Sequence, residues 1–236
     1  MSKPHVICHM TSSLDGKILP RRWAPTGVHD PGIYDRLHRE MGGGSWLVGR
    51  VTAQEFARRE AYPNEVAETF AREPWLPRKG AKAYAIMVDG KGKVAWGRAD
   101  VDGEPIVVVL TEQVSDAHLA GLHGDGVGYV FAGKTEIDLA LLLGALQREL
   151  GIERLLLEGG GGMNGSFLRA GLIDEISLIL EPAVDARRDT PTTFDGGDTS
   201  SGPAPISGLS LTSHNLLEGA RLWLRYAVDN EKRAAR

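Results

Sequence analysis

A chain of 236 residues with 42 % hydrophobic and 25 % charged residues has the balance of an ordinary globular protein, and at this length about 70 % of the unfolded surface is buried without help from disulfides or a structural metal. The formal net charge of −4 offers no basic footprint for a phosphate backbone, which sets nucleic-acid binding aside. One cysteine, Cys8, excludes a disulfide framework and a cysteine-based zinc site, and its apolar surroundings mark it as a small core residue.

The opening MSKPHVICHMTSS carries too short an apolar stretch for a membrane span and no small-residue cleavage site, so a cytoplasmic location without membrane contact is expected. In chain order, His5 to Thr11 reads as the first strand. A helix from Asp30 to Met41 follows from the spacing of Ile33, Leu37 and Met41. Ser45 to Val48 is a short buried strand running through Gly49 into a helix with Val51, Phe56 and Ala57. Prolines 63, 74 and 77 break the pattern beyond it, leaving a helical turn at Val66 to Phe70. Strands return at Ala83–Val88, Pro105–Leu110 and Gly128–Ala132, with a helix from Ser115 to Leu122 that Ser115 caps. Asp138 to Leu150 is the clearest helix, with an apolar stripe of leucines at 139, 142, 143, 146 and 150 and Gly151 as its stop. Arg154–Glu158 is a strand ending in four glycines, Gly159 to Gly162, before a helix through Phe167 and Ala170. Glu175–Leu180 and an alternating Ala220–Val228, antiparallel or at an edge, complete the set. Asp185 to Gly208 reads as a long mobile loop, and the tail from residue 230 as frayed.

Strands alternating with helices imply an α/β domain with a mixed, mostly parallel sheet of about eight strands, helices on both faces and an antiparallel C-terminal strand. A single domain over 1–229 is expected, with 230–236 as tail. The glycine turn Gly159, Gly160, Gly161 and Gly162 points to a dinucleotide or other anion, because glycines admit phosphate to the backbone and the helix start offers free N–H groups. Its spacing is not the fingerprint of a standard dinucleotide domain. Gly49, Arg50 and Thr52 form a second strand-to-helix turn suited to phosphate, and Thr111 is a third candidate, equally readable as a helix cap. The run from Gly128 to Thr135 fits the expression for an ATP-binding phosphate loop, but its inner residues, Tyr, Val, Phe and Ala, are β-formers that look like the strand itself. Gly133 and Lys134 then fall at that strand's end, beside a cofactor cleft. No histidine spacing suits a metal and no nucleophile elbow occurs, so neither a metal site nor hydrolase chemistry is expected.

The segment MTSSLDGKI (10–18), the GR-x-T turn, LLLEGG (155–160) and IDEISLILEPAV (173–184) together resemble the reductase domain of riboflavin biosynthesis, the RibD C-terminal domain, which shares the dihydrofolate-reductase-like fold. The resemblance implies an NADPH-dependent reductase delivering hydride to a C=N or C1′ centre of a ribosylaminopyrimidine, and a homodimer. It places Gly49, Arg50 and Thr52 by the cofactor phosphates, Thr111 by the adenosine ribose phosphate, and Gly159–Gly162 by the diphosphate and nicotinamide. Asp15 and Glu158 are carboxylates whose raised pKa would suit proton donation, and Lys17 is a cation for a substrate phosphate. Glu158, an acid ending an all-leucine strand, has less structural excuse than Asp15, which also suits a turn. Two features depart from the family. A DxP-x-LTVR-like stretch after the GR-x-T helix is missing, and Asp185-Ala-Arg-Arg-Asp-Thr replaces a glycine-rich turn. With one cysteine, the zinc deaminase domain fused to some members is not expected. Reduction of dihydrofolate or another small heterocycle, a catalytically silent nucleotide-binding module and an NTPase are the other readings.

Overall fold

The computed structural model describes residues 3–63, 65–196 and 202–230. They fall into two compact units, one formed by Gly44–Leu155 with the residues up to Pro4, the other by His5–Gly43 and the chain from Leu156 onward. The part of the expected tail from 231 to 236 lies outside the described residues.

In the first unit, β2 (Trp46–Gly49), β3 (Ala85–Val88), β5 (Glu104–Leu110) and β6 (Gly128–Phe131) run parallel, with Leu47 opposite Ile86, Ile86 opposite Val107, and Val108 opposite Tyr129. Their residues are buried almost without exception, as parallel strands covered on both faces require. The two-residue β4 (Asp100–Val101) adds antiparallel to β5. Helix α2 is only Arg50–Ala53, shorter than expected: Phe56 and Ala57 lie beyond it, and Phe56 packs against the Trp46 ring at 5.4 Å. The turn expected at Val66–Phe70 is not helical; instead the Phe70 backbone N–H bonds the Asp116 carboxylate, so a side chain satisfies what a helix would have.

Helices α3 (Asp116–Asp125) and α4 (Leu139–Leu150) both contact β6. Ser115 caps α3 by accepting from His118 N–H, and Asp138 caps α4 by accepting from Ala140 and Leu141 N–H. Such caps stabilise a helix by about 1 kcal/mol each. Gly126 and Gly151 end the two helices in the left-handed region, where a side chain is costly. The strand β6 contains Tyr129, Val130 and Phe131, so the run from Gly128 is a strand and not a phosphate loop, which removes the structural basis of the NTPase reading.

The chain passes through β7 (Arg154–Leu157) into the second unit. There β1 (His5–Ser13) lies parallel to β8 (Glu175–Glu181), β10 (Arg221–Asn230) runs antiparallel to β8, and β9 (Ile206–Leu217) antiparallel to β10. Helices α1 (Pro31–Glu40) and α5 (Gly161–Arg169) belong to this unit. Strand β9 begins inside the stretch expected to be a mobile loop and, with β4, makes ten strands among the described residues where about eight were expected. It was missed because its side chains are mostly exposed, Ser, Thr, His and Asn among leucines, and give no buried stripe.

Where β10 begins, Arg221 is turned inward beside Glu181, and Leu222 outward. Arg221 Nε donates to Glu181 Oε2 at 2.6 Å, its other nitrogens donate to the carbonyls of Glu218 and Val28, and His29 Nδ1 stands 3.3 Å from the second carboxylate oxygen. Both charged side chains are under 10 % exposed. Breaking a buried pair from one side leaves an uncompensated charge. Arg221→Ala is therefore expected to lower the unfolding free energy by about 3–5 kcal/mol, measured by urea denaturation. A loss under about 1 kcal/mol would show that water reaches Glu181 as readily as at a surface pair.

Candidate active site

The four parallel strands of the first unit end in loops that line a cleft of about 410 Å³. Arg50, Asp89, Lys91, Lys93, Thr111 and Thr135 are on its walls. Asp89 is 1 % exposed, and its Oδ2 accepts from the backbone N–H groups of Lys93 (2.6 Å) and Val94 (2.7 Å). That carboxylate folds the Asp89-Gly-Lys-Gly-Lys93 turn, leaving the two lysines as cations of the cleft. Gly90 is demanded sterically, because a Cβ there would lie 2.9 Å from Ile137. The Thr111 hydroxyl is buried and donates to the Gly90 carbonyl at 2.7 Å, so its free valence is as an acceptor. Arg50 is exposed and holds Gln54 weakly at 3.3 Å. Gly49 is the N-cap of α2 in ordinary extended backbone, and Thr52 follows in that single turn. Gly133 is not on the cleft wall; at φ +123 its missing Cβ would sit 2.0 Å from the Glu136 carbonyl, so loop closure explains this glycine.

In the second unit, Asp15 follows β1. Its carboxylate accepts from Ser13 Oγ (2.6 Å) and from the N–H groups of Asp185 (3.1 Å) and Ala186 (2.8 Å). These bonds, Ser13 first, bring its pKa down to about 2. The raised pKa expected for Asp15 is thus reversed: it is ionised at neutral pH and fastens the chain after β8. Lys17 Nζ donates to the Thr190 carbonyl at 3.1 Å.

Glu158 stands one residue past β7 with 11 % of its side chain exposed. Burial raises its pKa, opposed by the bond and charge of His38 and by Tyr34. His38 Nδ1 is 2.8 Å from Glu158 Oε1. The Tyr34 hydroxyl donates to the His9 carbonyl at 2.9 Å, and its ring stacks on the His9 ring at 4.3 Å. Behind them, Ser177 Oγ bonds both His9 Nδ1 (3.0 Å) and the Trp223 indole N–H (2.8 Å). Burial brings His9 down to about 4, so this ring is neutral. Cys8 is fully enclosed, as its apolar run implied, and burial followed by the Glu158 charge pushes its thiol far up.

The glycine turn divides into different tasks. Gly160, at φ +64, starts α5. A Cβ on Gly161 would lie 2.1 Å from the Thr192 carbonyl and one on Gly165 1.9 Å from the Asp195 carbonyl. These two are required by the 192–196 segment lying against α5. Gly162 has open space beside it, so nothing in the chain itself demands a glycine there.

Sequence reasoning singled out Arg50, Thr111 and Glu158; the structure sets Lys91 and Lys93 on the same cleft wall as the first two, and His38 and Tyr34 beside the third. The lysines had a legible signal, a DGKGK turn directly after a buried strand. His38 and Tyr34 had only their spacing of four on α1, which any amphipathic helix shows.

Asp15 generates a test of its own. Because its folded pKa lies below the unfolded value near 3.8, its contribution is fully present above about pH 4 and lost as pH falls through about 2. The melting temperatures of wild type and Asp15→Asn should therefore differ at pH 5 and converge towards pH 2. A gap independent of pH would mean that the carboxylate charge is not what holds the turn.

Among the described residues no helix is long and apolar enough to cross a membrane, and no three or more His, Cys, Asp or Glu side chains are grouped to hold a metal ion. Among proteins of known function, the chain is 29 % identical over 197 residues to the 2,5-diamino-6-ribosylamino-4(3H)-pyrimidinone 5′-phosphate reductase of Methanothermobacter thermautotrophicus, covering 82 % of this chain and 85 % of the relative. The reductase of the same name from Archaeoglobus fulgidus is 26 % identical over 199 residues, with 82 % and 87 % covered. Among solved structures, a pyrimidine reductase-like protein from Corynebacterium diphtheriae superposes with a TM-score of 0.68 at 18 % identity, over 97 % of this chain and 93 % of that one. A riboflavin biosynthesis reductase of Saccharomyces cerevisiae gives 0.56 at 16 %, over 96 % and 90 %. At those identities the structures attest the fold, a dihydrofolate-reductase-like α/β arrangement with a mixed, mostly parallel sheet. The family model of the RibD C-terminal domain matches residues 4–218, and the chain belongs to that family.

Proposed function

We propose that the protein is an NADPH-dependent reductase of a ribosylaminopyrimidine phosphate, acting as one reductase domain over 1–229 and as a cytoplasmic homodimer. The observation that carries the reading is the strand-end cleft of the first unit, whose wall Arg50, Lys91 and Lys93 share with Thr111. Three cations fit a phosphorylated ribose, since charge-assisted bonds to phosphate are about twice as strong as neutral ones. Of the two acids on the same wall, Asp89 holds the backbone of its own turn through Oδ2, and Glu136 leaves the cations still in the majority. The substrate class comes from the named activity of the relatives. Exposed leucines 209, 211 and 216 on β9 favour a partner copy.

Bound, NADPH would supply the hydride for C1′ of the substrate. Arg50, Lys91 and Lys93 are assigned to its ribose phosphate, Gly49 and Thr52 to neighbouring phosphate oxygens, and Gly159, Gly160 and Gly162 to the diphosphate side. As the sugar ring opens, its oxygen needs a proton. Glu158 is the enclosed acid whose pKa burial raises, the direction that suits a proton donor. Asp15 holds the loop, and Lys17, whose ammonium also donates to the Thr190 carbonyl, is assigned to a substrate phosphate.

The decisive experiment is binding and turnover side by side. NADPH at ~100 times its dissociation constant should add about 2.7 kcal/mol of stability, ahead of NADH and ATP, and the diaminopyrimidinone ribosyl phosphate should be consumed with NADPH. Arg50→Ala and Lys91→Ala should each weaken NADPH by about tenfold while leaving NADH within about twofold. Equal weakening of both would remove these residues from the extra phosphate, and stabilisation by ATP alone would overturn the reading.

A further inference from the structure

Lys91 and Lys93 are exposed on their turn, and long flexible cations hold a phosphate well only when the backbone beneath them is already fixed. Two groups fix it. One is the Asp89 carboxylate, which accepts from the N–H groups of Lys93 and Val94. The other lies between the lysines, where Gly92 stands at φ +60. A Cβ there would be 2.6 Å from Val114 Cγ2 and 2.8 Å from His118 Cδ2, so the glycine backbone rests directly on the imidazole of α3. His118 is 6 % exposed, and its Nε2 is buried without a hydrogen-bond partner among the described residues. Burial lowers its pKa against the nearby Asp89 charge, which keeps the ring neutral. An imidazole in that state offers the turn a flat surface. The Ser115 cap, accepting from the His118 N–H, sets where that surface stands.

The ring is itself backed by Tyr62. The two rings meet edge to face at 5.0 Å, and a Cβ on Gly121 of α3 would be 2.2 Å from the tyrosine. The Tyr62 hydroxyl donates to Asp125 Oδ2 at 2.8 Å and accepts from the Trp96 N–H at 3.1 Å. Tyr62 belongs to the irregular chain after α2, where the family's DxP-x-LTVR-like stretch is missing. Neither Tyr62 nor His118 is on the cleft wall, so any effect they have on a bound phosphate passes through the lysines.

We propose that His118, backed by Tyr62, is the positioning residue of the Lys91–Lys93 turn and thereby sets the preference for a phosphorylated ribose. The inference rests on the reading of the strand-end cleft as the site of the NADPH ribose phosphate.

An effect exerted through the lysines must vanish when the lysines are gone. The test is the dissociation constants of NADPH and NADH for wild type, His118→Ala, His118→Phe, Lys91→Ala/Lys93→Ala and the triple variant that adds His118→Ala to the lysine pair. Amide hydrogen exchange of Lys93 and Val94 is followed in the same proteins without ligand. His118→Ala is expected to weaken NADPH by about tenfold while NADH stays within about twofold. In the lysine-free background the same change should add less than about twofold. His118→Phe restores a flat ring and gives up no hydrogen bond of Nε2, so NADPH binding should return to within about threefold of wild type. The Lys93 and Val94 amides should exchange at least about tenfold faster in His118→Ala than in wild type. Equal weakening of both cofactors, or a full loss from His118→Ala in the absence of the lysines, would overturn the proposal. Wild type that binds NADPH no better than NADH would defeat the reading of the cleft. Unchanged exchange of the two amides, a result that needs no ligand, would show that His118 does not hold the turn and would overturn the proposal by itself.

Discussion

Parallel neighbours in a sheet cannot be joined by a tight turn. Each must be reached by a crossover that returns the chain to the same starting edge. For β2, β3, β5 and β6 this sends all four carboxyl ends the same way, and the loops that leave those ends gather whatever side chains they carry. The cleft with Arg50, Lys91 and Thr111 is therefore a product of strand direction before it is a product of side-chain choice. The hydrophobic cost of the arrangement is met by strands apolar at nearly every position, and the helices that cover them are held by the caps Ser115 and Asp138.

The elements legible in the sequence were those whose burial follows a period. Ile33 and Leu37 fixed α1, and its Asp30 cap and Pro31 start agree with the boundary read from them. The leucine stripe of α4 and its Gly151 stop were read to within a residue. What could not be read was structure stabilised by pairing alone. Strand β9 is long, but its side chains mostly face outward, and the hydrogen bonds that define it belong to β10. The shortened α2 shows the opposite error, in which apolar residues at helical spacing serve a ring contact after the helix has ended.

The site was legible by residue type and not by geometry. Glu158 stood out because an acid among leucines has no packing reason to be there, yet its partner is far off in the chain, and a histidine on an amphipathic helix advertises nothing. Asp15 and Glu158 looked alike as carboxyls at strand ends, but one accepts three hydrogen bonds in the open and the other is enclosed beside an imidazole. Identical chemistry is thus driven in opposite pKa directions by surroundings that sequence does not print.

The contact between α5 and the 192–196 segment has a mechanical consequence. Backbone lies on backbone there, with no side chain between Gly161 or Gly165 and the facing carbonyls. Asn164 and Arg169 clamp the same segment by donating to the carbonyls of Thr193 and Gly196. Side-chain contacts can yield by changing rotamer, whereas two main chains in contact have no such slack. Helix and segment must open to solvent as one cooperative piece, so that a disturbance of the irregular stretch after β8 is passed on undamped to the glycine turn that follows Glu158.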